Sequence, residues 1–163
     1  DMFEGSLSLT ACTTAMEFCS QAGLKSAVNA CLKVSPIGDC SNGQHGPIAD
    51  WDVSSVTDMS NLFTGAPSFN GDLSKWEVSS VTRGMFGDVK SFAGDISKWR
   101  VSRVTNMQTM FSDASSLGGT LSSVSTFNGD LSKWNMSRVT DMAEMFLEAS
   151  TFNVISPSGM SRE

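Results

Sequence analysis

The chain has no tyrosine, a single histidine and no apolar run long enough to cross a bilayer, which takes roughly 18 to 20 consecutive residues. It also lacks a surplus of positive charge: 11 Lys and Arg stand against 17 Asp and Glu, giving −6. Nucleic-acid binding through phosphate neutralisation needs clustered, uncompensated Lys and Arg, so that class is not expected. His45, in "NGQHGP", has no nucleophile and orienting carboxylate around it in sequence, and reads as a loop histidine. There is no GxxxxGK[ST], no GxGxxG and no HExxH. Neither an enzyme nor a cofactor is expected. Asp1 to Leu9 shows neither the charged start nor the apolar stretch of a secretory leader, as expected of a soluble chain already processed or cut from a longer one.

The four cysteines, Cys12, Cys19, Cys31 and Cys40, all fall in the first quarter, at spacings unlike a zinc pair or a thioredoxin motif. Two disulfides are their expected use, with three connectivities open. The compartment is then oxidising: the cell surface, the exterior or an organelle lumen.

What the chain has in abundance is repetition. "FNGDLSKWEVSSVT" at 69–82 returns as "FAGDISKWRVSRVT" at 92–105 and "FNGDLSKWNMSRVT" at 127–140. Trp51, Trp76, Trp99 and Trp134 mark equivalent positions at steps of 25, 23 and 35 residues. In "LSKWEV" the order Leu73, Trp76, Val78 fits the L-x-x-L-x-L of a leucine-rich repeat, and inward Trp76 and Val78 alternate with outward Lys75, Glu77 and Ser79 as in a strand. Val56, Met59, Leu62, Phe63 and Ala66 in "VTDMSNLFTGA" form a helical stripe with Thr57 as its N-cap. Asn70-Gly71-Asp72 then turns the chain into the next strand.

The fold expected from this is an α/β repeat solenoid, a leucine-rich-repeat-like right-handed stack of short parallel strands and short helices. Residues 1–47 would form a degenerate, Cys-bearing N-terminal cap with a helix near Leu24–Lys33, residues 48–153 four irregular repeats, and 154–163 a tail. The expected core is Trp51, Trp76, Trp99 and Trp134 with Phe63, Phe69, Phe92, Phe111, Phe127, Phe146 and Phe152. The second repeat, "VTRGMF", is two residues short and should lose most of its helix. In the third, "SSLGGTLSSVSTF" replaces "SF" and reads as a Ser-rich bulge.

The pattern "DLSKWxVSxVTxMxxMFxxAxxF" resembles the BspA-like leucine-rich repeat surface proteins, built from the bacterial surface protein 26-residue repeat. It runs in register over roughly 48–153, and weakly over 1–9. The resemblance implies a surface-exposed binding or adhesion protein.

The outward strand positions are the candidate partner-binding face, expected to be concave: Asp50 and Asp52, Lys75 and Glu77, Lys98 and Arg100, Lys133 and Asn135, extended by Arg103 and Arg138. Read in order, the face runs from acidic to basic, which suits a protein partner or an anionic glycan. The recurring Asp72, Asp95 and Asp130 each follow a glycine and are expected to accept turn N–H groups rather than gather the six to eight oxygens calcium needs. Thr57, Thr82, Thr105 and Thr140 read as helix N-caps rather than an ice-binding ladder. Asn135-Met136-Ser137 is an N-glycosylation sequence. The function expected is a non-catalytic interaction module, the alternative a structural accessory subunit of a larger, organellar membrane assembly.

Overall fold

The structure, a computed structural model, describes residues 18–78, 82–112 and 130–147. It opens with helix α1, Gln21–Val34. Ser20 caps it, its hydroxyl accepting the Gly23 N–H at 3.1 Å. Leu24, Ala27, Val28 and Cys31 form its buried stripe, at the spacing the sequence shows. A disulfide ties Cys31 to Cys40, nine residues on, and Cys19 is disulfide-bonded as well. Cys12 lies outside the described residues.

The α/β repeat solenoid is not what forms. Among the described residues α1 is the one α-helix, joined by a three-residue 3-10 helix at Ile48–Asp50; no strand is present, and an isolated parallel bridge joins Asn106 to Asp141. The expected strands fail because their N–H groups are used locally. Asp72 Oδ1 accepts the Ser74 N–H, and the Trp76 N–H turns back to the Leu73 carbonyl at 3.0 Å. Trp99 to Ile96 and Trp134 to Leu131 repeat that turn.

The expected helices fail for a different reason. Asn61, Gly84, Thr109 and Glu144, each two residues before the recurring Phe at 63, 86, 111 and 146, all have φ between 52° and 58°. A left-handed residue cannot continue a right-handed helix. Thr57 therefore caps nothing helical; Asp58 takes the turn instead, accepting the Ser60 N–H at 2.8 Å.

What the repeats build is a stack of turn segments. The N–H groups of Phe63, Phe86 and Phe111 each donate at 2.9 Å to the carbonyl just before the next Phe, on Met85, Met110 and Met145. Asn61 to Arg83, Gly84 to Gln108 and Thr109 to Ala143 run alongside, all in the same direction. Phe63, Phe86, Phe111 and Phe146 stack face to face with ring centroids 5.5, 5.4 and 5.6 Å apart. Phe69 and Phe92 form a second column, and Trp51 on Trp76 and Trp99 on Trp134 a third.

Each indole is also tethered. Trp76, Trp99 and Trp134 donate Nε1–H to the carbonyls of Ile48, Leu73 and Ile96 in the preceding coil, at 2.9 to 3.0 Å. Leucine could fill that slot but would give up this bond to the preceding coil, the second that each of these carbonyls accepts beside its own turn N–H. Of the expected core aromatics, the four tryptophans and Phe63, Phe69, Phe92 and Phe111 are buried, and Phe146 is half-buried on the last described coil. Phe127, Phe152, the Ser-rich insertion, the tail and residues 1–17 lie outside the described residues.

Along the Phe turns the described coils donate forward, and there the first coil's carbonyls face α1. Lys25 Nζ donates to both the Asn61 and Leu62 carbonyls at 2.7 Å, and Gln21 Nε2 to Ser60 at 3.0 Å. The cap is thus polar as well as apolar, and burial lowers the Lys25 pKa. Replacing it should loosen the cap: Lys25→Met is expected to destabilise by about 1 kcal/mol, the loss of hydrogen bonds to one exposed and one part-buried carbonyl, as read from denaturant unfolding. No change would mean that water serves these groups equally well.

The short second repeat keeps its register at a cost. Its two-residue deficit places Thr82 where the other coils have Met59, Met107 and Met142, fully buried, with no hydrogen-bond partner for its hydroxyl among the described residues. Thr82→Val keeps the shape and removes the stranded hydroxyl. It is expected to stabilise by about 1 kcal/mol, seen as a raised unfolding midpoint; a lowered midpoint would show that the hydroxyl is satisfied.

Candidate interaction surface

The tryptophan column determines what the neighbouring residues can do. With each indole buried and tethered, the side chains just before and after it are turned outward. Asp50 and Asp52, Lys75 and Glu77, Lys98 and Arg100, and Lys133 and Asn135 are all exposed, as are Arg103 and Arg138. The alternation expected from the sequence therefore survives although no sheet carries it.

Equivalent slots lie next to one another across coils. Lys75 Nζ forms an ion pair with Asp50 Oδ1 at 2.7 Å, both partners holding the position before Trp. That pairing raises the Lys75 pKa, though an exposed pair contributes little to stability. Lys75 is thus partly neutralised, which leaves Asp52 and Glu77 to give the early part of the face its negative sign.

The glycine-following aspartates are turn acceptors. Hydrogen bonds from the Ser74 backbone and hydroxyl hold the Asp72 carboxyl below its ordinary range. Hydroxyl first and backbone second, Ser97 does the same for Asp95 and Ser132 for Asp130; Ser54 does so for Asp52. These carboxylates stand close enough to repel one another, but no group of three or more Asp, Glu, His or Cys among the described residues is arranged to hold a metal ion. Lys98 and Lys133 help keep Asp95 ionised, and Lys133 does so for Asp130. The two lysines therefore face nearby negative charge, and the net positive field of the late coils centres on Arg100, Arg103 and Arg138.

Two features were not anticipated from sequence. Lys25 and Gln21, one helical turn apart on α1, reach the first coil; a lysine beside a buried stripe was the available signal. His45 packs edge-on between Phe18 and Trp51, at 5.3 and 5.7 Å, so the loop histidine is part of the aromatic end of the stack.

No curated protein and no solved structure matches the chain. The family described as "Mycoplasma protein of unknown function, DUF285" matches residues 35–126 and, in a second match, 117–156. Together the two spans begin at Ser35, the residue that follows α1, and take in the Cys40 loop and the described turn coils. They cover well over half of the sequence, and the chain belongs to that family.

Proposed function

We propose that the chain is a non-catalytic interaction module that binds a protein or an anionic glycan through the exposed residues flanking its tryptophan column. The observation that carries this reading is the combination of a rigid buried ladder with a charged, outward row on either side of it. Tethered indoles and stacked rings fix the spacing of that row. A preordered row loses less conformational entropy on binding than a mobile one. Its sign changes from Asp52 and Glu77 to Arg100, Arg103 and Arg138, which would orient a partner and speed its encounter. The resemblance to BspA-like surface proteins points the same way, and the Cys31–Cys40 disulfide is compatible with display outside the cell or in a lumen. No helix among the described residues is long and apolar enough to cross a membrane.

A second reading, a structural subunit of a larger assembly such as an organellar membrane complex, draws on the ends of the stack. Val34, the last residue of α1, and Ile37 just after it are 70% and 60% exposed, and Met142 and Leu147 are exposed on the last described coil. Purification from the native source under mild conditions separates the readings: a stoichiometric complex supports the subunit, a free monomer the binding module.

The charged row itself is tested by reversal. The Lys98→Glu, Arg100→Glu variant should bind immobilised heparin, an anionic glycan probe, at least about tenfold more weakly, a difference of roughly 1.4 kcal/mol. Its unfolding midpoint should be unchanged, because both residues are exposed. Equal heparin retention by the two proteins would remove this row from consideration.

A further inference from the structure

Asn135-Met136-Ser137 is the one Asn-x-Ser/Thr sequence in the chain. In a paired strand it would be locked into a ladder, but the structure puts it in an exposed turn. The Asn135 Oδ1 accepts the Ser137 N–H at 3.1 Å, and the Val139 N–H closes onto the Met136 carbonyl at 3.0 Å. Asn135 and Ser137 are both exposed, while Trp134, immediately before them, is buried and tethered to Ile96. A large group on Asn135 would project into solvent and displace no core contact.

The first coil shows what this turn does with a hydroxyl in its third position. In Asp52-Val53-Ser54 the Ser54 N–H again bonds Asp52 Oδ1, at 3.0 Å, and the Ser54 hydroxyl donates to the same oxygen at 2.6 Å. The same backbone frame surrounds Asn135, where the Ser137 N–H bonds the carboxamide oxygen and the Ser137 hydroxyl occupies the third position. The equivalent slots in the two middle coils are Glu77 and Arg100, which offer no amide.

We propose that Asn135 is an N-glycosylation acceptor. Its Nδ2 forms a bond to the anomeric carbon of an oligosaccharide carried on a lipid pyrophosphate. The bond from that carbon to the pyrophosphate oxygen breaks, lipid pyrophosphate leaves, and Nδ2 gives up one proton. Such donors act in the lumen of the secretory pathway, a compartment that also permits the Cys31–Cys40 disulfide. A glycan here would stand beside Lys133 and Arg138 and restrict docking at the basic end of the charged row.

The test is to secrete the chain from a eukaryotic cell line behind a cleavable leader and measure intact mass before and after peptide N-glycosidase. If the chain is retained, the mass is read on the lumenal fraction. The wild type and Ser137→Thr should carry one oligosaccharide, removed by the enzyme with conversion of Asn135 to aspartate. Asn135→Gln and Ser137→Ala should carry none and unfold at the wild-type temperature. A wild-type chain without sugar, or a sugar that persists in Asn135→Gln, would overturn the assignment.

Discussion

Everything in this structure depends on the hydrogen bond that the Phe of one coil makes to the next coil. Phe63, Phe86 and Phe111 donate their N–H forward to the carbonyls of Met85, Met110 and Met145, whereas the indoles of Trp76, Trp99 and Trp134 and the Lys90 and Thr140 N–H groups donate back. The Phe side of the stack therefore runs one way. Its first coil must find donors behind it, which Lys25 and Gln21 supply. The aromatic columns follow from the same register. Bonds at 2.9 Å hold neighbouring coils at a separation where Phe63, Phe86 and Phe111 stack nearly parallel. Each such pair adds about 0.5 to 1.5 kcal/mol beyond burial.

Burial was legible in the sequence around the tryptophans and on α1. Leu73, Trp76 and Val78 are buried with Lys75 and Glu77 exposed, and α1 buries Leu24, Ala27, Val28 and Cys31. Backbone conformation was another matter. An in-out alternation is shared by a strand and by a chain of turns tethered at every tryptophan, so "LSKWEV" could not distinguish them. The stripe Val56, Met59, Leu62, Phe63 suits a helix just as well as a stacked turn. What separates the two is the sign of φ at Asn61, Gly84, Thr109 and Glu144. Asn61 and Gly84 are residue types that tolerate it and were a usable signal; Thr109 and Glu144 adopt it in the same slot without being such types.

The charged row was legible for a related reason. Its membership depends only on which residues flank a buried Trp, and that survives the exchange of strands for turns. Its electrostatics did not follow from the linear sequence, because the Lys75–Asp50 pair and the closeness of Lys133 to Asp95 arise only when coils stack. The consequence for recognition is a basic end dominated by arginines, whose planar guanidinium groups suit bidentate contacts to carboxylate or sulfate better than lysine does.

The claim that repeats stack as turns rather than as helices and strands is open to one direct measurement. Nuclear Overhauser contacts in solution should connect the Phe63, Phe86 and Phe111 rings in sequence, and the Phe63 N–H should lie near Met85 with no helical i to i+3 series through 56–66. A continuous helical series there, without ring-to-ring contacts between coils, would contradict the account.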